Sequence, residues 1–286
     1  MHMSHDYASP TLSGPIVVKY GGNAMGAFGD ADPVLVEIAA LHAEGVKIVL
    51  VHGGGPEIDR QLSERGIVSE RVDGLRVTDA ATLETTESVL CGTLNKRLVR
   101  ACLALGLPAV GVSGQDAGML RSGRVRSASG CSLGFVGGVP ACDPSLIIAL
   151  LSAGYLPVIA PLALDIAMSS ALNVNADSSA AAIAGALHAQ AFVVVSNVPR
   201  VLANPGDDAS GISALSCTEA QAFLTSDACR SSMKPKIEAA ITAVQRGVDT
   251  AYICAAAPNA IRRAISGDAT VIREEAPLRN DHFVRS

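Results

Sequence analysis

The segments PIVVKYGGN (residues 15–23) and KIVLVHGGGPE (residues 47–57) each run from a short apolar stretch into a cluster of glycines. Both patterns are typical of a strand that ends in a turn, and helical spacing of apolar residues follows each turn. Because glycine has no Cβ, the backbone N–H groups of such turns can converge on an anion, which the N-terminus of the next helix also attracts. With Lys19 at the end of the first strand, the two segments predict a phosphate site.

Outward from these segments, strand and helix patterns alternate along the chain, which predicts an α/β fold with a mainly parallel sheet covered by helices on both faces. Residues 114–140 interrupt the alternation with glycines and serines, and we expect β-hairpins or a lid at the sheet edge there. The predicted strands are residues 15–20, 47–51, 107–112, 156–160, 191–196, 250–254 and 269–272. The predicted helices are residues 31–44, 57–65, 79–104 (two helices that meet near Gly92), 143–153, 176–188, 217–226, 232–246 and 258–265.

The composition narrows the class of protein. A formal net charge of −5, with no run of interleaved basic and aromatic residues, argues against nucleic-acid binding. No apolar stretch reaches membrane-spanning length and no secretory signal is evident, so we expect a cytoplasmic protein without a membrane partner. The 7 cysteines form no CxxC pair and are interpreted as small buried hydrophobes in a reducing compartment.

Two polar motifs in the first two thirds of the chain are candidates for a substrate site: an arginine that suits a carboxylate, and a carboxylate beside two asparagines that can orient lysines and bind a substrate amide. Arg76, in GLRVTD, has a planar fork that fits a carboxylate, and an arginine solvated at the surface is the alternative. Asn173, Asn175 and Asp177 precede an alanine-rich helix. Capping of that helix explains one of these three polar residues but not all of them.

Two further motifs lie in the last third of the chain. Lys236 falls in the first turn of a predicted helix, where a basic side chain interacts unfavourably with the helix dipole. This position indicates a nearby anion, and a solvated helix face is the alternative. Ser196 and Asn197 follow a predicted strand, at the end where α/β folds bind nucleotides. No histidine spacing typical of a metal site is present, so no metal held by protein side chains is predicted.

Taken in order, these segments resemble the amino acid kinase family, from Val17 to Arg273. The resemblance implies an open, mainly parallel eight-stranded sheet between helices. It also implies an N-terminal lobe, residues 1–188, that binds an acylated amino acid and forms a homodimer, and a C-terminal lobe, residues 189–286, that binds ATP. The matching motifs are VVKYGGNAM, VLVHGGGPEI, GLRVTD, VLCGTLNKRLV, VGVSGQDAG, GFVGGV, GYLPVIAP, NVNADSSAAAIA and MKPKIEAA.

The branch of the family that fits best phosphorylates the side-chain carboxylate of N-acetyl-L-glutamate with ATP, in arginine biosynthesis. Mg²⁺ would be held mainly by the nucleotide phosphates and water. The implied catalytic residues are Lys19 and Lys236, which stabilise charge on the transferring phosphoryl group, and Asp177, which holds the two lysines. The implied substrate contacts are Gly54, Gly55, Arg76, Asn173 and Asn175, and the implied phosphate and ATP contacts are Gly21, Gly22, Gly53, Ser196 and Asn197.

The chain departs from the family pattern at two places. Ser196-Asn197 stands where relatives have Thr-Asp or Ser-Asp, which affects a polar contact in the nucleotide region. Ser231-Ser232 replaces the Gly-Gly that usually precedes the methionine, which makes the loop that presents Lys236 less adaptable.

Two other interpretations stay open. Residues 261–273 also resemble kinases that act on aminoadipate or glutamate attached to an acidic carrier protein. Such an enzyme needs a basic docking surface, for which Arg121, Arg124 and Arg126 are candidates. A non-catalytic regulatory protein on the same fold is the third interpretation, and the presence of both lysines and Asp177 argues against it.

Overall fold

The computed structural model describes residues 14–21, 25, 32–167 and 170–275. The strands in this part of the chain are β1 (Ile16–Tyr20), β2 (Ile48–His52), β3 (Arg71–Val72), β4 (Leu75–Arg76), β5 (Ala109–Ser113), β6 (Leu120–Ser122), β7 (Arg124–Arg126), β8 (Ser132–Gly137), β9 (Ala141–Cys142), β10 (Leu156–Ala160), β11 (Leu162–Asp165), β12 (Ala171–Asn173), β13 (Ala191–Ser196), β14 (Val201–Leu202), β15 (Gly211–Ile212), β16 (Ala214–Ser216), β17 (Thr250–Ala255) and β18 (Thr270–Arg273). The helices are α1 (Pro33–Ala43), α2 (Gly55–Glu64), α3 (Ala80–Glu87), α4 (Asn95–Ala104), α5 (Ser145–Ser152), α6 (Ala176–Ala186), α7 (Cys217–Leu224), α8 (Lys234–Gln245) and α9 (Ala260–Ile265).

The main sheet has eight strands in the order β16-β18-β17-β13-β1-β2-β10-β5. Neighbouring strands are parallel except for β17 and β18, so the predicted mainly parallel sheet is confirmed. Every strand predicted from the sequence lies in this sheet. The sequence did not predict β16, because its three residues are too few to show a period.

Helices cover both faces of this sheet, as predicted. Ile16 and Val18 of β1 pack on the face covered by α1, α4 and α9, and Val17 packs on the face covered by α6 and α8. The central strands β1, β2, β10 and β13 are buried throughout, which is typical of a parallel sheet between two helical layers. Because side chains alternate along a strand, Lys19 shares the face of Val17 and is directed toward α6.

A second sheet, in the order β7-β8-β12-β11-β6-β9, contains six strands. Residues 114–140 supply three of them, and β7 and β8 pair antiparallel, so the segment expected to form hairpins or a lid contains one hairpin. The sequence analysis did not predict β11 and β12, which pair antiparallel across a short connection. The second sheet matters for the site because β12 ends at Asn173, three residues before α6 begins.

The long helical pattern of residues 79–104 does form two α-helices, but the chain between them stays helical. Ser88–Leu94 adopts a π-helix that includes Gly92 and connects α3 to α4. A π-helical turn widens the hydrogen-bond spacing instead of stopping the helix. The break expected near Gly92 is therefore a change of helix type.

Burial agrees with the interpretation of the cysteines at four positions, Cys102, Cys217, Cys229 and Cys254. Cys131 is exposed in the loop between β7 and β8, so the interpretation is wrong there. None of the helices in the described residues has the length and hydrophobicity to cross a bilayer.

A buried carboxylate joins α1 to α9. Glu37 of α1 accepts hydrogen bonds from the N–H groups of Ile261 (2.9 Å) and Arg262 (2.8 Å) in the first turn of α9. The N-cap residue Asn259 has a left-handed backbone and provides no side-chain cap. Burial raises the pKa of Glu37, and the two N–H groups and the Arg262 charge act in the opposite direction. Glu37 therefore replaces a local cap for α9.

We expect Glu37→Ala to lower the free energy of unfolding by roughly 2–3 kcal/mol, because two N–H groups lose their acceptor. Glu44→Ala is the matched control: Glu44 also contacts Arg262, but its side chain is 53% exposed. An exposed ion pair of this kind contributes less than about 1 kcal/mol. Urea unfolding of both variants measures the difference, and equal losses would contradict the capping role of Glu37.

Candidate functional site

Two clefts lie at the carboxyl ends of the central strands. The chain leaves β1 through α1 toward β2 on one face of the sheet, and it leaves β13 through α8 toward β17 on the other. The direction of winding therefore reverses between β1 and β13, where α/β sheets bind ligands. The first cleft, of about 220 Å³, is bordered by residues that include Lys19, Gly53, Gly54, Gly55, Arg76, Asn173, Asn175 and Asp177. The second cleft, of about 130 Å³, is bordered by residues that include Ser196, Asn197 and Lys236.

The two glycine clusters contact each other at the first cleft. The Gly53 N–H donates a hydrogen bond to the Tyr20 carbonyl (3.0 Å), and a Cβ at Gly21 would lie 2.7 Å from the Gly53 Cα. A Cβ at Gly54 would lie 2.6 Å from Leu90. Packing therefore requires glycine at position 21, where the collision is with backbone, and disfavours a larger residue at position 54, where leucine side chains would have to move.

Gly55 differs from these glycines. A Cβ there would meet nothing within 4 Å, although the residue borders the cleft. Packing in the described part of the chain does not explain why this residue is a glycine. Close approach of a ligand to the backbone would explain it. Gly22, the remaining glycine of the expected phosphate contacts, lies outside the described residues.

Lys19 and Asp177 form a buried ion pair beside the first cleft. The Lys19 Nζ lies 2.9 Å from the Asp177 Oδ1, and the two side chains are 8% and 9% exposed. Asn175 caps α6 by accepting a hydrogen bond from the Asp177 N–H (2.7 Å), which fixes the start of the helix. No other described residue donates a hydrogen bond to the Asp177 Oδ1, so Lys19 is its partner within the described residues.

Lys236 occupies the first turn of α8 and is half-buried. Its Nζ donates a hydrogen bond to the Ser232 carbonyl (2.6 Å). Burial lowers its pKa, the Asp177 charge raises that pKa and the Lys19 charge lowers it again. Lys236 is thus only partly solvated and lies within range of the Lys19 and Asp177 charges. Lys19 and Asp177 of the first cleft and Lys236 of the second together carry one net positive charge. The helices α2, α6 and α8 all begin beside these clefts.

The Arg76 side chain is 4% exposed, so the alternative of a solvated surface arginine is wrong. Its guanidinium donates hydrogen bonds to Asp59, to Ser69 and, over 3.4 Å, to the Gly55 carbonyl. Asn173 borders the same cleft and donates a hydrogen bond from its Nδ2 to the Thr78 Oγ1 (3.2 Å). The cleft thus combines a cation with amide groups, a set suited to a carboxylate and an amide.

Ser196 and Asn197, two of the residues expected to contact the nucleotide, border the second cleft. The Ser196 hydroxyl donates to the Asn197 Oδ1 (3.3 Å) at the end of β13. Arg71 at the first cleft and Arg200 and Arg230 at the second also border the site, and the sequence analysis missed them. Each is a single arginine in a short strand or loop, so no spacing or glycine pattern could have identified it.

The three arginines proposed as a basic docking surface have local partners. Arg124 pairs with Asp165 (2.8 Å) and lies over the Phe135 ring, 4.2 Å from its centroid. Arg126 donates to the Gly130 carbonyl (2.9 Å) and Arg121 to the Gly118 carbonyl (3.2 Å). Their guanidinium groups thus stabilise the second sheet and its turns.

His52, directly before the three glycines, is completely buried. Its Nδ1 lies 3.0 Å from the Gly53 carbonyl oxygen and its Nε2 lies 3.3 Å from the Asn95 Nδ2. A neutral ring satisfies both contacts, with Nδ1–H donating and Nε2 accepting. Burial lowers the pKa of His52 to about 4, so the ring is neutral near pH 7 and holds the glycine turn in place.

We expect His52 to make the protein less stable in acid. Between its ordinary pKa of 6.5 and the folded value of about 4, the unfolded chain binds a proton that the folded protein does not. Stability therefore falls as pH drops through this range, by roughly 3 kcal/mol from this residue. Urea unfolding at pH 7 and pH 4 measures the loss in wild type and in His52→Gln. An identical loss in the variant would contradict this assignment.

The glycines offer a second test. We expect Gly21→Ala to lower the free energy of unfolding by roughly 1–3 kcal/mol, because its Cβ collides with the Gly53 backbone. Gly55→Ala should change the free energy of unfolding by less than about 0.5 kcal/mol, because its Cβ enters open space. Urea unfolding compares the two, and a similar loss in both would show that Gly55 is also a packing requirement.

Comparison with known proteins identifies a family and relatives that match most of the chain. The model of the amino acid kinase family matches residues 14–255. The acetylglutamate kinase of Symbiobacterium thermophilum is 39% identical over 243 residues, which cover 83% of each chain. The acetylglutamate kinase of Syntrophomonas wolfei is 42% identical over 238 residues, which cover 83% of this chain and 82% of the relative.

A solved structure shares the fold. The N-acetylglutamate synthase from Neisseria gonorrhoeae, complexed with coenzyme A and N-acetyl-glutamate, has a TM-score of 0.76 and 23% identity over 92% of this chain and 60% of its own. The likeness to the synthase concerns the fold alone. On the family match and the identity to these two kinases, this chain belongs to the amino acid kinase family.

Proposed function

We propose that this protein is a kinase that transfers the γ-phosphoryl group of ATP to the side-chain carboxylate of N-acetyl-L-glutamate. The observation that carries the proposal is the Lys19–Asp177 ion pair at the first cleft, with Lys236 of the second cleft close enough to interact with both charges. Relatives that match most of the chain are acetylglutamate kinases, which supports the choice of substrate.

The first cleft suits the acylated amino acid. Arg76 would bind the α-carboxylate, because its guanidinium is buried and borders the cleft. Asn173 and Asn175 border the same cleft and would contact the acetamide region. The side-chain carboxylate would then lie toward Lys19, beside the backbone of Gly54 and Gly55.

The chemistry needs charge stabilisation more than proton transfer. The acceptor carboxylate is already ionised near neutral pH, so no base has to remove a proton. One of its oxygens attacks the γ-phosphorus in line as the bond to the β-phosphate oxygen breaks, giving an acyl phosphate and ADP. Lys19 and Lys236 would stabilise the charge on the transferring group, and Asp177 would keep Lys19 in position. Backbone groups of Gly21, Gly22 and Gly53 would contact phosphate oxygens.

ATP would occupy the second cleft, next to Ser196 and Asn197. No cluster of three or more histidine, cysteine or acidic side chains in the described ranges is arranged to hold a metal ion. The Mg²⁺ that accompanies ATP would take most of its ligands from the phosphates and water, as Mg²⁺ at nucleotide sites usually does. We also propose that the protein is a cytoplasmic homodimer, which light scattering tests. Its N-terminal lobe, residues 1–188, would bind the amino acid, and its C-terminal lobe, residues 189–286, would bind ATP.

We expect Lys19→Ala and Lys236→Ala each to lower kcat by about 10²–10³-fold, because each removes a group that stabilises the transition-state charge. Lys234→Ala is the matched control, since Lys234 is exposed in the same helical turn. The assay measures ADP release with Mg²⁺ and traps the acyl phosphate with hydroxylamine. It compares N-acetyl-L-glutamate with free glutamate, aspartate and N-acetyl-L-aspartate.

The proposal requires turnover of N-acetyl-L-glutamate well above that of the other acceptors. Equal turnover of free glutamate, or no turnover of N-acetyl-L-glutamate, would contradict it. In the second case a carrier-bound acceptor becomes the next substrate to test. Loss of activity in Lys234→Ala equal to that in Lys236→Ala would contradict the role given to Lys236.

A further inference from the structure

We propose that Asp59 is a positioning residue that fixes Arg76 for recognition of the substrate's α-carboxylate. The inference rests on the proposed function and deepens it. Asp59 lies on α2, and its Oδ1 accepts a hydrogen bond from the Arg76 Nη1. Its Oδ2 lies 3.3 Å from the Arg71 Nη2. Both arginines border the first cleft and Asp59 does not, so Asp59 holds them from behind.

Burial explains why Arg76 needs this partner. The Arg76 side chain is 4% exposed, whereas that of Asp59 is 47% exposed. A buried guanidinium without a counter-ion is costly, and Asp59 supplies the counter-ion before a substrate arrives. Partial burial alone would raise the pKa of Asp59, but hydrogen bonds and charges from Arg76 and Arg71 bring this pKa below its ordinary value. Asp59 is therefore ionised at neutral pH.

The hydrogen bonds also set the orientation of the Arg76 fork. Nη1 donates to Asp59 and to the Ser69 hydroxyl, so the protein occupies that nitrogen. Nη2 makes one long hydrogen bond, 3.4 Å, to the Gly55 carbonyl and carries a second N–H. Asp59 thus selects the nitrogen that remains for a substrate oxygen.

The charge of the cluster matches one carboxylate. Arg71 and Arg76 contribute two positive charges and Asp59 contributes one negative charge, which leaves one positive charge at this end of the cleft. An acceptor whose α-carboxylate is replaced by a carboxamide would leave this charge without a partner. The cluster therefore favours a free α-carboxylate over an amide.

The first measurement compares the KM values of wild type, Asp59→Ala and Asp59→Asn. We expect Asp59→Ala to raise the KM for N-acetyl-L-glutamate about tenfold, because Arg76 loses a charged hydrogen-bond partner. The kcat and the KM for ATP should stay within about twofold, because Asp59 borders neither cleft. Asp59→Asn keeps an acceptor for Nη1 and should recover part of the loss. Glu64→Ala, which removes another ion-paired acid of α2, is the matched control and should leave every constant unchanged.

The second measurement distinguishes positioning from a merely structural role. Wild type should prefer N-acetyl-L-glutamate over its α-carboxamide analogue in kcat/KM, and we expect Asp59→Ala to reduce this preference about tenfold. The double variant Asp59→Ala, Arg76→Ala should prefer N-acetyl-L-glutamate over the α-carboxamide analogue as strongly as Arg76→Ala alone does, because Asp59 acts through Arg76.

The possible failures are distinguishable. If wild type does not phosphorylate N-acetyl-L-glutamate, the proposed function fails and this inference fails with it. If wild type is active and Asp59→Ala keeps both its KM and its preference for the free α-carboxylate, the inference alone is overturned. The inference would also be overturned if Asp59→Ala lowered kcat and raised the KM values for N-acetyl-L-glutamate and ATP equally. The same holds if Glu64→Ala lowered the preference for the free α-carboxylate as much as Asp59→Ala does.

Discussion

The ion pair between Lys19 and Asp177 depends on the register of the whole fold. Lys19 reaches α6 because strand alternation places it on the face of Val17, and Asp177 meets it because Asn175 caps α6 at the correct residue. Shifting β1 by one residue would direct this lysine to the opposite helical layer. The central strands and the start of α6 must therefore be fixed to within one residue before any site exists.

Around this pair, few of the charged side chains of the site are exposed to solvent. Lys236 is half-buried near Lys19 and Asp177, and Arg76 is buried against Asp59. Arrangements of this kind are preorganised, because the charges do not have to move when a polyanionic substrate binds. The glycine turns contribute differently: Gly21 and Gly53 bring two strand ends into backbone contact, which a larger residue at position 21 would prevent.

The sequence predicted most of the main sheet because buried parallel strands are continuous apolar runs, such as Ile48–His52. It also identified Lys19, Arg76 and Asp177 as candidates, and the structure brings all three to one cleft. It could not predict β11 and β12, whose pairing depends on the second sheet. Nor could it identify Asp59, since an acidic residue on an amphipathic helix looks like an ordinary solvated side chain until its arginine partner is known.

The π-helix at Ser88–Leu94 places Leu90 and Leu94 against Gly54, beneath the turn that borders the first cleft. A π-helical turn holds about one residue more than an α-helical turn, so this segment spans nearly the same rotation as an α-helix that is one residue shorter. Deleting one residue would therefore restore a regular α-helix and leave α4 in nearly the same orientation. The change would fall instead on Leu90 and Leu94, so the extra residue acts locally, on the support of the glycine turn, and not on the packing of α4.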